Sequence, residues 1–289
     1  MEKNNHFKLT WLPKKAFEIT VTIPWEEISQ AQNQIIQTAG KNLEIKGFRK
    51  GNAPEKLVRE ALGPQKLIEL SLQKLLPDYF QKAIEEFKIR PIVTPRIELV
   101  SAKENEDWQV KFTACVEPEV NLNNYKEEIK KESLAKAIWT PEKSSSSAKT
   151  KKEEDKDQKL NRVLEWLIKN VKVEICDLLK DEEVNRKLAN LLDQIQKMGL
   201  TLDQYLASTG RTVEQLREEY ARQAEENLTL EFVLSKIADE EKIEVKPEEI
   251  EKVIAETKTE DEKKALQSQS YLLATLLRRQ KTLDFLASL

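Results

Sequence analysis

The 289-residue chain has few of the side chains on which most catalytic and metal sites depend. Its only histidine is His6, and its only cysteines are Cys115 and Cys176. A single imidazole in a predicted N-terminal tail makes a Ser-His-Asp triad or a Cys-His pair implausible. Two cysteines in different predicted domains do not make a metal site, and reduced thiols fit them better than a disulfide. The sequence therefore predicts neither a bound metal nor nucleophilic catalysis.

Glycine and the aromatic residues are also scarce. The chain has six glycines and 6% Phe, Trp and Tyr, which argues against a propeller or an all-β sandwich. It contains no G-x-x-x-x-G-K-[ST] phosphate loop, and glycine is too rare for a dinucleotide fingerprint. Carboxylates are abundant, but abundant Glu on helices normally forms a solvated face rather than an acid–base pair. We therefore expect a non-enzymatic protein with no cofactor and no use of ATP.

Long apolar runs are absent as well. No stretch of 18 apolar residues occurs, so the sequence predicts no membrane span. Residues 1–5 lead into no long apolar run, and a signal peptide is therefore not expected. Together with the reduced thiols, these features predict a cytoplasmic location.

Charge is what the chain has in excess. Asp, Glu, Lys and Arg make up 34% of the residues, and the mean hydropathy is −0.62. So large a charged fraction indicates a large surface relative to the core, as in an elongated helical protein. The net charge is only −3, so an anionic partner has to be met by a local basic patch rather than by the whole protein.

Residues 1–132 have the strand pattern of a small antiparallel sheet. Phe17 to Ile23 alternates apolar and polar residues, as in a half-buried strand. Arg96 to Ser101 and Trp108 to Val116 flank a polar turn, and they predict a hairpin.

Helical spacing fills the sequence between these strands. One helix begins at Pro24, a short one runs from Pro54 to Leu62, and a long one begins at Pro64. Pro77 lies inside the long helix and is expected to kink or restart it. Helices packed on a small antiparallel sheet predict an α+β fold for this first domain.

The composition changes over residues 133–158. Four consecutive serines, 144–147, precede a stretch dense in Lys, Glu and Asp. Such sequence buries too little apolar area to offset chain entropy, which predicts a flexible linker. A charged interaction tail is the functional alternative, although the two signs of charge are mixed.

Residues 159–289 have helical patterning throughout. Apolar stripes with helical spacing run from 160 to 171 and from 184 to 198. Thr201 is a predicted N-cap, and Thr212 opens a Thr-x-x-Gln capping box before a long helix. The sequence predicts an all-α second domain and an elongated, multidomain protein.

A basic turn lies between the first two predicted helices. It combines an aromatic residue and two cations with glycines that permit positive φ and a proline that begins the next helix. Its residues are Gly47, Phe48, Arg49, Lys50, Gly51, Ala53 and Pro54. The surrounding basic residues are Lys41, Lys46, Lys56 and Arg59. Residues 41–59 carry six positive and two negative side chains, a net +4. A solvated basic turn explains this pattern, whereas an exposed aromatic beside cations favours a binding site.

The segment Gly47-Phe48-Arg49-Lys50-Gly51, followed by Ala53-Pro54, resembles the ribosome-docking signature of trigger factor, the bacterial nascent-chain chaperone. The order of a strand, helices around the basic loop and further strands resembles that family's ribosome-binding domain. Residues 173–175, 199–206 and 243–250 resemble its C-terminal domain, although Cys176 stands where the family usually has a proline.

The resemblance implies that the loop contacts a ribosomal protein and rRNA beside the exit tunnel. Phe48 would fill an apolar niche, and Arg49 and Lys50 would pair with carboxylate or phosphate. The helical domain would shield nascent or unfolded polypeptides and assist their folding and export. The family usually carries an FKBP-type prolyl-isomerase domain between the two parts. Residues 133–158 are too few and too polar to form it, so we expect that domain and its activity to be absent.

Two other functions remain open on the sequence. A ribosome-independent holdase or assembly adaptor would need the basic loop only as a turn. An RNA-binding module predicts basic faces interleaved with aromatics, and the chain has none outside the loop. We expect no membrane partner and no specific DNA partner.

Overall fold

The computed structural model describes residues 6–43, 48, 52–137, 148–256, 263 and 266–289. The chain divides into two compact units between Glu117 and Pro118. The first unit is a sheet with helices and the second is helical, so the predicted fold class is confirmed. The division lies earlier in the chain than the expected one after residue 132, because Tyr125 and Ile129 are buried in the core of the second unit.

Among the described residues, the first unit has four strands and three helices. They are β1 (Phe7–Trp11), β2 (Ala16–Ile23), α1 (Trp25–Asn42), α2 (Glu55–Leu62), α3 (Pro64–Phe87), β3 (Arg96–Ser101) and β4 (Trp108–Cys115). All strand pairs are antiparallel, and the order across the sheet is β1-β2-β4-β3. The strands β1 and β3 therefore form its two edges.

The core of the first unit lies between the two central strands and α3. Because side chains alternate across a strand, every second residue of β2 and β4 points to the same face. Those residues are buried, and they face one another in register: Phe17, Ile19, Val21 and Ile23 on β2, and Ala114, Phe112, Val110 and Trp108 on β4. Burial of each large apolar side chain stabilises the fold by about 1.5–3 kcal/mol.

Two features of this unit differ from the sequence-based expectation. His6 was expected in a tail, but it leads directly into a strand: residues 7–11, for which no element was predicted, form β1, because Phe7 and Leu9 pack against the core from a strand that pairs with β2. The helix α3 continues through Pro77 without restarting. Proline removes one N–H from a helix, and the packing of Leu76 and Tyr79 against the sheet on either side of it compensates for that loss.

The second unit is built from helices throughout its described part. They are α4 (Tyr125–Ala137), α5 (Ala148–Asn170), α6 (Asp177–Lys197), α7 (Leu202–Thr209), α8 (Val213–Glu240), α9 (Pro247–Glu256) and α10 (Ser270–Ser288). The main core joins α4, α5, α8 and α10. Its buried members include Ile129, Leu167, Val233, Ile237 and Leu286. The predicted N-cap at Thr201 and the predicted capping box at Thr212 are both confirmed, and Thr201 forms a capping box with Gln204 as well.

The expected flexible linker at residues 133–158 is helical wherever it is described. Residues 133–137 belong to α4, and residues 148–158 belong to α5. The remaining part, 138–147, lies outside the described residues. Low apolar content predicts a lack of independent packing, but Lys, Glu and Gln also have high helix propensity. The charged stretch therefore extends a helix whose later residues, Val163 and Leu167, are anchored in the core.

Both cysteines, Cys115 and Cys176, are buried thiols. Within the described ranges, no helix is both long and apolar enough to cross a bilayer.

Candidate functional site

The basic turn connects α1 to α2, and a small apolar cluster holds the two helices together. The buried members of the cluster are Ile36, Val58 and Leu67, one from each of α1, α2 and α3. Leu43 and Ala53, the residues on either side of the turn, pack against the same cluster. The turn therefore begins and ends on a packed base, and Ala53 contributes to that base.

Backbone hydrogen bonds define where each helix meets the turn. The Leu43 N–H donates to the carbonyl of Ala39 at 2.8 Å, which closes the last turn of α1. The carbonyl of Pro54 accepts from the N–H groups of Leu57 at 3.0 Å and Val58 at 3.2 Å. Pro54 is therefore the N-cap of α2, one residue before the helix proper.

Phe48 is the one residue of the predicted tip that the structure describes. Its side chain is 43% exposed, so a large part of the ring is available to a partner. Aromatic residues, Phe among them, are enriched in protein interfaces relative to the rest of the surface. The other predicted tip residues, Gly47, Arg49, Lys50 and Gly51, lie outside the described residues, as does Lys46.

The three described members of the basic patch differ in whether they have an ion-pair partner. Lys41 and Lys56 are exposed, and neither has an ion-pair partner among the residues that are described. Arg59 is engaged: its Nη2 lies 2.7 Å from Oε1 of Glu104 and 3.5 Å from Oε1 of Gln32. Glu104 offsets the charge of Arg59, so the patch is less positive on the side of α2 that faces the β3–β4 turn.

A cavity of about 550 Å³ lies beside this ion pair. Its lining includes Trp25, Gln32, Leu67 and Trp108. Its walls come from α1, α3 and the β3–β4 hairpin, so no contiguous motif could have indicated it. Within the described part of the chain, no group of three or more His, Cys, Asp or Glu side chains is placed to hold a metal ion.

The second unit carries exposed apolar side chains at two places. Met198 is 61% exposed at the end of α6, beside the exposed Leu200. Tyr271 is 86% exposed at the start of α10, where Leu272 and Leu276 are exposed as well. None of these residues was predicted to bind a client, and Met198 was expected at the end of an apolar stripe. The available signal was the number of leucines on α10, which exceeds what a single buried stripe needs.

Two tyrosines are fixed by carboxylates within the units. The Tyr79 hydroxyl donates to Oε2 of Glu27 at 2.8 Å, and the Tyr125 hydroxyl donates to Oε1 of Glu241 at 3.0 Å. Burial, followed by the hydrogen bond to the carboxylate, raises the pKa of both phenols. Both therefore stay protonated and serve as structural donors.

Both parts of the chain match models of one known protein family. Residues 7–143 match the family model described as "Bacterial trigger factor protein (TF)", and residues 142–288 match "Bacterial trigger factor protein (TF) C-terminus". The chain belongs to the trigger factor family. The two matched ranges meet at residues 142 and 143. Together the two family models therefore cover the chain without a gap from residue 7 to residue 288.

Individual relatives match over a shorter range. Proteins named Trigger factor from Staphylococcus aureus strains JH9 and Newman are each 34% identical to this chain over 119 residues. Those residues are 40% of this chain and 28% of each relative, so the match spans little more than a quarter of the relatives' length.

A solved trigger factor structure has the same fold. It is described as "Promiscuous Substrate Recognition in Folding and Assembly Activities of the Trigger Factor Chaperone". The superposition has a TM-score of 0.64 and covers 97% of this chain and 99% of that chain. At 17% sequence identity, this likeness establishes a shared fold.

Proposed function

We propose that this protein is an ATP-independent chaperone that docks on the ribosome near the tunnel exit and shields nascent polypeptides. The observation that carries the proposal is the family match, which extends over both units of the chain. Shielded chains would be passed on to folding or export, in the cytoplasm. No nucleotide is needed, since each client contact depends on apolar burial, worth about 25 cal/mol per Å².

Docking is proposed to use the tip of the α1–α2 turn. The exposed part of the Phe48 ring enters an apolar niche. Because 43% of the residue is exposed before docking, its burial contributes less than half of the about 1.5–3 kcal/mol that full burial of such a ring gives. Arg49 and Lys50 pair with carboxylate or phosphate, with Lys41 and Lys56 as exposed cations behind them. Two phosphate contacts predict that the logarithm of the affinity falls linearly with the logarithm of the salt concentration, with a slope of about −1.4 to −1.8.

Ribosome co-sedimentation tests the docking role. We expect Phe48→Ala, Arg49→Ala and Lys50→Ala, combined in one variant, to lose most of the association. The matched control combines Trp11→Ala, Lys8→Ala and Arg90→Ala, which removes the same kinds of side chain from exposed positions elsewhere in the first unit. If the tip variant sediments with ribosomes as the control does, docking through the tip is wrong.

Client binding is proposed for the exposed apolar side chains of the second unit. Thioether and aliphatic side chains adapt to varied sequences, which suits Met198, Leu272 and Leu276 to this role. Replacing Tyr271, Leu272 and Leu276 by serine should weaken the suppression of aggregation of an unfolded model protein. A control with Arg279→Ser and Gln280→Ser changes the exposed polar side chains of the same helix and should keep the activity.

A ribosome-independent holdase or assembly adaptor is the second candidate. It is supported by the same exposed apolar side chains, because they could shield a client without any ribosome. Ribosome association separates the two functions: a holdase suppresses aggregation, but its wild-type protein does not co-sediment with ribosomes.

We also propose that the chain lacks prolyl-isomerase activity. The support is the adjacency of the two family matches, which meet at residues 142 and 143. Without an isomerase domain, X–Pro bonds of a bound client isomerise at their uncatalysed rate, over tens of seconds or more at 25 °C.

A further inference from the structure

The strand β3 (Arg96–Ser101) is an edge of the sheet. It pairs with β4 on one side, and no strand of the described part of the chain lies on its other side. A strand edge of this kind presents a row of backbone N–H and C=O groups to any extended chain that reaches it. Addition of a strand to such an edge is a common way to bind a peptide.

An apolar groove lies beside this edge. Ile97 and Leu99 lie opposite Phe112 and Val110 of β4, so they belong to the core-facing side of the sheet. They are nevertheless 50% and 40% exposed. The helix α3 packs on β4, where the rings of Phe80 and Phe112 are 5.1 Å apart, and leaves β3 uncovered.

The groove has the size and lining of a binding site. Its volume is about 400 Å³, within the range of about 300–1,000 Å³ that is usual for ligand pockets. It lies between α3 and the edge strand, and its lining includes Leu72, Leu76, Pro77, Phe80, Ile97 and Phe112. If a peptide strand paired with the free edge of β3, its apolar side chains on the core-facing side of the sheet would enter this groove.

The other face of β3 carries two side chains of opposite charge, Arg96 and Glu98. Arg96 lies opposite Thr113, and Glu98 lies opposite Lys111. On its paired side, β3 is next to a strand that reads Val-Lys-Phe-Thr, whose lysine lies opposite Glu98 while its Nζ pairs with Glu18 at 3.3 Å. A strand added on the free side would lie beside the same two charges. Opposite charges directly across a strand pair are favourable.

We propose that the free edge of β3 binds an extended client segment as an added antiparallel strand. The segment alternates apolar, basic, apolar and acidic residues. Its apolar side chains enter the groove beside α3, its basic residue faces Glu98, and its acidic residue faces Arg96. The inference rests on the proposed function, and it names one class of client sequence and a binding site in the first unit.

The geometry of the strand disfavours a second copy of this chain as the occupant. Two β3 strands centred on Glu98 would place like charges opposite each other. Two strands centred on Ile97 would pair Arg96 with Glu98, but they would place Pro95 opposite Leu99. Because proline has no N–H, that ladder would be confined to about three residues.

Two peptides of identical composition test the proposal. The probe is a fluorescently labelled Thr-Val-Lys-Val-Glu-Val-Thr, and the control exchanges its Lys and Glu. Fluorescence anisotropy with the full chain should give at least about fivefold tighter binding of the probe, because the exchange places like charges across both pairs. The double variant Arg96→Glu, Glu98→Arg should prefer the control peptide instead. Equal affinities, or a preference that does not reverse, would overturn the proposal.

N-methylation tests whether the backbone is used. Two further probes carry N-methyl groups at alternate residues, so that each blocks the N–H groups on one edge of the peptide. Strand addition predicts that one of them binds about tenfold more weakly or worse while the other binds like the parent. Equal losses would indicate apolar contact alone and contradict the proposal. So would a dimer of the chain that the peptide disrupts, because a second copy would then occupy the edge.

Ribosome co-sedimentation and suppression of aggregation on the same preparations test the proposed function separately. If both activities are intact and the peptides show no selectivity, the inference about β3 fails and the proposed function stands. If both activities are absent and the selectivity is observed, the strand site stands without its assignment to clients.

Discussion

The packing beneath the basic turn predicts that Gly40→Ala stabilises the first unit. Gly40 lies in α1, near the start of the turn, where the helix approaches α2. A Cβ added at Gly40 would lie 3.4 Å from Cγ2 of Val58 and 3.9 Å from its Cγ1, which are ordinary van der Waals distances. The methyl group therefore fits without displacing the neighbouring helix.

The expected gain comes mainly from the backbone. Glycine inside a helix is destabilising by about 0.5–1 kcal/mol relative to alanine, because glycine loses more conformational freedom on folding. For a unit of this size, such a gain raises the unfolding temperature by about 2–4 °C. Scanning calorimetry or thermal unfolding followed by circular dichroism would measure the shift.

Gly63→Ala is the matched control, because the same substitution should there have the opposite effect. Gly63 separates α2 from α3 and has φ +74° and ψ 157°, a conformation that is strained for any residue with a Cβ. No neighbouring atom would meet the new Cβ within 4 Å, so the expected loss of about 1–3 kcal/mol is due to the backbone alone. A loss of stability in Gly40→Ala would refute the packing described for α1 and α2.

Three further predictions concern the second unit and catalysis. Thr212→Ala should destabilise the second unit by about 1 kcal/mol in urea unfolding, since the Thr212 hydroxyl accepts from the Gln215 N–H at 3.2 Å in a capping box. Glu241→Gln should cost about 0.5–1 kcal/mol at neutral pH, because the ion pair with Lys126, with the Tyr125 hydrogen bond, lowers the pKa of Glu241 below its ordinary 4.5. That stabilisation is present above pH 4.5 and is lost as the pH falls through the lowered pKa of Glu241. The difference in stability between wild type and variant should therefore shrink in acid. A difference that stays constant with pH would show that the Glu241 carboxylate is not its source. In a prolyl cis/trans assay, the purified chain should leave the rate at its uncatalysed value, and robust catalysis would contradict the proposed loss of the isomerase.

Features that depend on neighbouring residues were predicted well from the sequence. The N-cap at Thr201 and the Thr-x-x-Gln capping box at Thr212 were predicted, because all of their hydrogen bonds lie within four residues. The central strands β2 and β4 follow from strict alternation of apolar residues, since both bury one face. An exposed Phe48 agrees with the glycine-flanked turn in which it lies.

Features that depend on distant partners were predicted less well. β1 is recognisable as a strand only once β2 offers it an edge to pair with. Arg59 was assigned to a free basic patch, and its partner Glu104 lies 45 residues away on the β3–β4 turn. Residues 148–158 were assigned to a linker, because propensity alone does not reveal that α5 is anchored by Leu167 in the core.

Site-specific crosslinking from position 48 tests the central claim most directly. A photoreactive phenylalanine analogue replaces Phe48, and a second protein carries it at the exposed Trp11 as the control. With purified ribosomes, docking through the tip predicts crosslinks from position 48 to a ribosomal protein or rRNA at the tunnel exit, and none from position 11. Crosslinks from position 11 alone, or from neither position while the chain still co-sediments with ribosomes, would contradict docking through the tip.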